Sequence, residues 1–231
     1  MARIKLVSQV HHNLVKKLII LAALAEFLVA QQCLAIVINV SRTGGYYSDG
    51  GGEFTVTDPP DPIFDSIFNN YAGVATLGGG FQTFCISTSI HLKSNPLDAT
   101  LDPTGIAVGT AWLYGEFAMG TLAGYNYTDT SGGGRAHSAD QLQNAIWELQ
   151  GQSFDSSLAA FYVGLAVSHF GSLADAMVTA PGGVDALRMV SLGTDSQPML
   201  AFVGVPDGGA TLLLLGLGLT SLGAFKWRFR V

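Results

Sequence analysis

Residues 138–151 read SADQLQNAIWELQG, and this stretch decides where the chain becomes helical. Ser138 stands three residues before Gln141, the spacing of a capping box, in which the hydroxyl caps and the Gln side chain reaches back. At roughly 100° per residue, Leu142, Ala145, Ile146 and Leu149 share one face. That pattern predicts a helix from Ser138 to about Gln150, closed by Gly151. Gln143 falls inside the same apolar arc. A carboxamide in a buried stripe costs stability unless its amide finds partners. Gln143 therefore either hydrogen-bonds a neighbouring strand or is kept for its chemistry.

Outward from this helix, two more are expected, Ser156 to Phe170 and Ser172 to Val178, the last ending before Pro181. Together they make a helical insert over about residues 138–180. The preceding part reads as β. Ile36 to Val40, Glu53 to Thr57 and Phe81 to Ser87 are strands, separated by glycine turns at Gly44-Gly45 and Gly50 to Gly52. Phe64 to Tyr71 reads as a short helix, and Ala111 to Tyr114 as a strand end or the opening of a short helix. Leu187 to Ser191 and Met199 to Val203 read as closing strands. The expected fold is mainly β with an α insert, a β-barrel or sandwich plus a helical subdomain. An N-terminal signal helix and a C-terminal transmembrane sorting helix flank it.

Composition excludes several classes. Of 231 residues, 29 are Gly and only 12% are charged, with a net charge of −6. Eleven Lys and Arg residues offer no basic surface for nucleic acid. Residues 36–204 hold four basic residues, Arg42, Lys93, Arg135 and Arg188, against fifteen acidic ones, a net of −11. Such a domain stays soluble and repels anionic polymer unless divalent cations bridge them. Asp58-Pro-Pro-Asp61 reads as a rigid turn.

The two ends read as sorting segments. Arg3, Lys5, Lys16 and Lys17 precede the apolar run Leu18 to Ala25, and Cys33-Leu34-Ala35 offers a cleavage site after Ala35, with Ala30 as the other. Residues 1–35 are therefore expected to be a signal peptide, handled by the Sec translocase and signal peptidase. At the other end, Val205-Pro206-Asp207-Gly208-Gly209 precedes the apolar run 210–225 and the basic residues Lys226, Arg228 and Arg230. That run suits a membrane span with a cytoplasmic basic stop. The tail, residues 205–231, resembles the PEP-CTERM class of bacterial sorting signals, most closely its VPDSG variant, with Gly208 where the variant has Ser. The resemblance implies recognition by an exosortase in a Gram-negative bacterium. The route would be transit through the inner membrane, then the cell surface, outer membrane or extracellular matrix. An ordinary single-span anchor is the plainer alternative.

Cys85 would be the sole cysteine left after cleavage at Ala35. It is either a small buried hydrophobe, a partner of a retained Cys33, or a reactive group. Phe84-Cys85-Ile86 on a strand, with Leu142-Gln143-Asn-Ala-Ile-Trp147 on a later helix, resembles the thioester domains of bacterial surface adhesins. Leu142 stands where those domains usually have Thr. The resemblance implies an internal thioester with Cys85 as sulfur donor and Gln143 as acyl donor.

No G-x-S-x-G elbow, H-E-x-x-H or P-loop occurs in the chain. His137, Ser138 and Asp140 are neighbours on one turn and do not form a triad. His91 and His169 read as surface residues. The expectation is a non-catalytic, exported surface or matrix protein without metal or cofactor, attached through a Cys85–Gln143 thioester to a surface amine or polysaccharide. The alternative is a non-covalent carbohydrate-binding or structural protein of the exopolysaccharide matrix, with Tyr46, Tyr47, Trp112, Tyr114, Tyr125 and Tyr127 as possible sugar platforms.

Overall fold

A computed structural model of the chain describes residues 36–48, 51–57, 62–102, 104–128, 133–152, 155–181 and 183–203. The expected signal segment, the sorting tail and the Asp58–Asp61 turn lie outside the described residues. In chain order the elements are β1 (Ile36–Ser48), β2 (Gly51–Thr57), α1 (Pro62–Phe68), β3 (Phe81–Thr83), β4 (Leu97–Asp102), β5 (Ile106–Ala107) and α2 (Val108–Ala118). They continue with α3 (Arg135–Leu149), α4 (Ser156–Phe170), α5 (Leu173–Ala176), β6 (Thr179–Ala180), β7 (Val184–Ser191) and β8 (Thr194–Phe202).

Six strands form one antiparallel sheet in the order β3-β2-β1-β4-β7-β8. Its two outer strands then meet. Just past β3, Phe84 O accepts from Leu200 N at 3.1 Å and Ile86 N donates to Pro198 O at 2.9 Å, with Cys85 opposite Met199. The sheet thus closes on itself along a seam that runs through Cys85, and no long unpaired edge is left there. β1 alternates, with Ile36, Ile38 and Val40 buried and Val37, Asn39 and Ser41 exposed, as a strand with one wet face should. β2 is buried on both faces because α3 packs against it.

The helices α2 to α5 lie between β5 and β6, which pair with each other through Ile106–Ala180 and Ala107–Thr179. This short ribbon ties the entry and exit of the helical segment together. Tyr114 of α2 reaches from there to the seam. Its buried hydroxyl lies 2.9 Å from Gln82 O and 3.2 Å from Leu200 O, one carbonyl on each side. Tyr71 OH lies 2.8 Å from the Tyr114 hydroxyl and accepts from Phe202 N at 2.7 Å. Burial holds both phenols protonated well above the ordinary tyrosine range.

Several local expectations change. Of the two readings of Ala111 to Tyr114 the helical one holds, but the segment lies inside α2, so the helical part starts at Val108 rather than near Ser138. Ser138 does not cap α3. The helix starts at Arg135 after Gly134, without a side-chain cap. Ser138 lies buried in its first turn, where its hydroxyl accepts from Asn126 N at 3.2 Å. Arg135 draws the chain into helix a turn early by its own buried bonds, described below. Gly44-Gly45 is an irregularity within β1, where the register with β2 shifts between Arg42 and Tyr47. The strand β4 was not anticipated, because only Leu97 and Ala99 face inward between aspartates. The helices α4 and α5 follow their caps: Asp155 accepts from Ser157 N and Leu158 N, and Ser172 accepts from Asp175 N.

If Tyr114 fastens the seam, Tyr114→Phe removes the one O–H shared between Gln82 O and Leu200 O, of which Leu200 O keeps the Thr83 hydroxyl, and lowers the unfolding free energy by about 1–3 kcal/mol. Urea unfolding of the variant beside the parent checks this.

Candidate functional site

Cys85 and Gln143 are brought together, and the seam explains why. Cys85 and Met199 form the kind of antiparallel pair whose own backbone groups point away from the partner strand. On that far side the pairing of β3 with β2 has already ended at Thr83 and Phe54. The N–H and C=O of Cys85 would be buried without partners. The Gln143 side chain supplies both: Cys85 N donates to Oε1 at 3.0 Å, and Nε2 donates to Cys85 O at 2.7 Å. The carboxamide stands where a next strand would. It also lies against the thiol, with Cys85 Sγ 3.2 Å from Gln143 Oε1.

This approach requires a bare backbone on β2. A Cβ on Gly51 would come within 2.5 Å of Gln143 Cγ, and Gly51 has φ +136, a conformation that suits glycine. The other end of α3 is held by charge. Arg135 is fully buried, and its Nε and Nη2 grip Glu53 Oε1 and Oε2 at 2.7 and 2.9 Å. Its remaining donors go to Val74 O and Tyr127 O, each at 2.7 Å, and Tyr125 OH donates to Glu53 Oε1 at 2.5 Å. A cation is unfavourable at a helix N-terminus, so Arg135 is there for Glu53. Burial pushes the Glu53 carboxyl up, opposed by the guanidinium and by Tyr125. Burial also works against the charge on Arg135, and Glu53 outweighs it. The clamp ties the start of α3 to β2, two residues beyond Gly51, and so fixes where Gln143 arrives.

Two further glutamines hold the segment after Cys85. Gln152 Oε1 accepts from Thr88 N at 2.7 Å, and its Nε2 donates to Ile86 O at 2.9 Å. Gln197 Nε2 donates to Ser87 O at 3.1 Å. Cys85 borders a cleft of about 550 Å³, lined also by Arg42, Tyr47, Phe54, His91 and Trp147. The cleft is the route from solvent to the sulfur. Burial pushes the free Cys85 thiol up to about 12, and the Trp147 side chain and its own backbone draw it partly back. The thiol therefore rests protonated. Among the described residues no group of His, Cys, Asp and Glu could hold a metal ion.

Other residues singled out from the sequence fall elsewhere. Tyr114 and Tyr125 are core, while Tyr46, Trp112 and Tyr127 are half-buried away from the cleft lining. His169 stacks on Trp112 at 4.4 Å, and His91 is exposed at the cleft. Glu53 and Arg135 were missed. The available signal was a basic residue placed at a helix start in a segment with only four of them.

Residues 204–229 match the model of the VPDSG-CTERM motif. The matched span takes in Val205, Pro206, Asp207, Gly208, Gly209, the apolar run, Lys226 and Arg228, and Arg230 lies just beyond it. The chain carries a PEP-CTERM-like sorting tag, which supports export through an exosortase-type system. No helix among the described residues is long and apolar enough to cross a membrane, and residues 210–225 lie outside them. No curated protein and no solved structure matches the chain.

Arg135→Ala leaves Glu53 buried without its cation and costs about 3–5 kcal/mol of stability by urea unfolding. A second outcome concerns pH. In a chain with a free Cys85 thiol, the folded state keeps a proton that the unfolded state releases above the ordinary thiol pKa. That stabilisation is complete below the ordinary value and is lost as pH rises toward about 12. Relative to Cys85→Ala, such a chain therefore loses stability more steeply above about pH 9. An acylated sulfur carries no proton and removes the difference.

Proposed function

We propose that the protein is an exported surface or matrix protein that attaches covalently through an internal thioester between Cys85 and Gln143. One observation carries this: a buried thiol held 3.2 Å from a carboxamide oxygen that already accepts from a backbone N–H. The Cys85 sulfur attacks Gln143 Cδ, and negative charge develops on Oε1, where the Cys85 N–H is placed to receive it. The C–N bond breaks, the thiol proton passes to the leaving nitrogen, and ammonia departs. Because the thiol rests protonated, that proton is already at the site. Fixed placement substitutes for a strong nucleophile. The product is an electrophile facing the cleft, open to an amine or hydroxyl from another surface. It is consumed once, so the role is attachment rather than turnover.

Sorting fits this role. The tag at 204–229 supports delivery by the secretion machinery and an exosortase. We place the destination at the cell surface, outer membrane or matrix of a Gram-negative bacterium, after signal peptidase has removed residues 1–35. The cleft favours a second reading, a non-covalent carbohydrate-binding protein in which Gln143 only satisfies the Cys85 backbone.

Intact mass separates the two. The thioester form weighs about 17 Da less than the sequence demands, the mass of the ammonia expelled. Methylamine adds one equivalent and frees the thiol, and neither Cys85→Ala nor Gln143→Ala reacts. An undiminished mass with a free Cys85 thiol contradicts the proposal.

A further inference from the structure

The cleft beside Cys85 also indicates which nucleophile it admits. Of the four basic residues in 36–204, Arg135 is bonded to Glu53 and Arg188 to Asp102. Arg42 makes no ion pair among the described residues. Its guanidinium instead lies over the Tyr47 ring, 4.2 Å from the centroid, at the wall of the cleft. Stacking on an aromatic face holds a guanidinium in place and leaves its edge donors free for a carboxylate. A fixed cation there repels an incoming ammonium, so a lysine side chain is disfavoured. Tyr47 and Phe54 meet edge to face at 5.4 Å, Trp147 adds a third ring, and Thr88 and Gln197 add polar side chains beside them. A volume of about 550 Å³ lies within the ordinary range for small-molecule sites. Aromatic rings interleaved with polar groups, one guanidinium and one imidazole suit a carboxylated sugar ring. Arg42 supplies at the cleft the attraction that the net charge of −11 denies an anionic polymer elsewhere.

Building on the thioester reading, we propose that the acceptor is a hydroxyl of a carboxylate-bearing saccharide, such as a uronate unit of a polysaccharide, captured as an ester. The sugar oxygen bonds to Gln143 Cδ, the C–S bond breaks, and the hydroxyl proton ends on the Cys85 sulfur. An amine needs no help in this step, whereas a hydroxyl gains from a base. His91, the imidazole of this lining, is placed to serve as that base. Arg42 pairs with the sugar carboxylate and orients the ring.

The test uses the purified full-length chain, with its 17 Da deficit measured first (the mass of one ammonia). It is offered oligogalacturonate, uncharged maltodextrin of equal length, or Nα-acetyl-lysine, and adducts are counted per thioester by intact mass. The expected result is an oligogalacturonate adduct that hydroxylamine cleaves, roughly tenfold or more above the other two. Arg42→Gln lowers it by about that factor per thioester, the size of one charge-assisted pair. Equal capture of both saccharides, preferred capture of acetyl-lysine as a hydroxylamine-stable amide, or no effect of Arg42→Gln overturns the proposal and leaves the thioester standing. Absence of the mass deficit overturns both.

Discussion

The carboxamide of Gln143 takes the place of a missing strand. Closing the sheet brings Cys85 against β8 in a register that turns its own N–H and C=O outward, at the point where β2 no longer pairs. Buried peptide groups must find partners. A helix that delivers one Gln to that spot completes the closure. Everything else around the seam serves that delivery: a bare Gly51, Tyr114 bridging the two carbonyls of the joint, and two more glutamines holding the segment that follows. Structural need and chemistry thus converge on one side chain. The arrangement that satisfies a backbone also sets a thiol against a carbonyl with a donor already in place.

The buried Glu53–Arg135 pair has a different role. Replacing such a pair with apolar residues is often harmless to stability, so it is best understood through position. It fastens the first residue of α3 to the strand that also carries Gly51, with four polar partners around the guanidinium. An apolar substitute would fill the volume without fixing the angle at which the helix meets the strand. In a segment with a net charge of −11, one of four cations is spent inside.

The parts of this arrangement that rest on local pattern were legible in the sequence. The helices α4 and α5 follow from their caps and breakers, and α3 from its apolar face and Gly151. Cys85 and Gln143 were legible as a pair because a lone thiol and a carboxamide in an apolar arc are each out of place. What could not be read was long-range. No periodicity reports that Phe84 to Ile86 would leave β2 and join Pro198 to Leu200. Nor does any local rule say that a supposed N-cap serine would be pre-empted by an arginine reaching Glu53. The strand β4 escaped for a related reason. Its pattern of one leucine and one alanine facing inward among aspartates becomes a strand only when β1 and β7 flank it. The sorting tail is the opposite case, readable by order of motif, apolar run and basic end alone, and matched at residues 204–229.

The central claim is that residues 85 and 143 are joined by a bond and do not merely touch. Proteolysis at acidic pH, which spares a thioester, followed by peptide mass spectrometry tests it most directly. The account predicts one species containing both the Cys85 and the Gln143 peptides, lighter than their sum by one ammonia and separated by hydroxylamine. Two independent peptides, one with an alkylatable Cys85 and one with an intact Gln143 carboxamide, would contradict it.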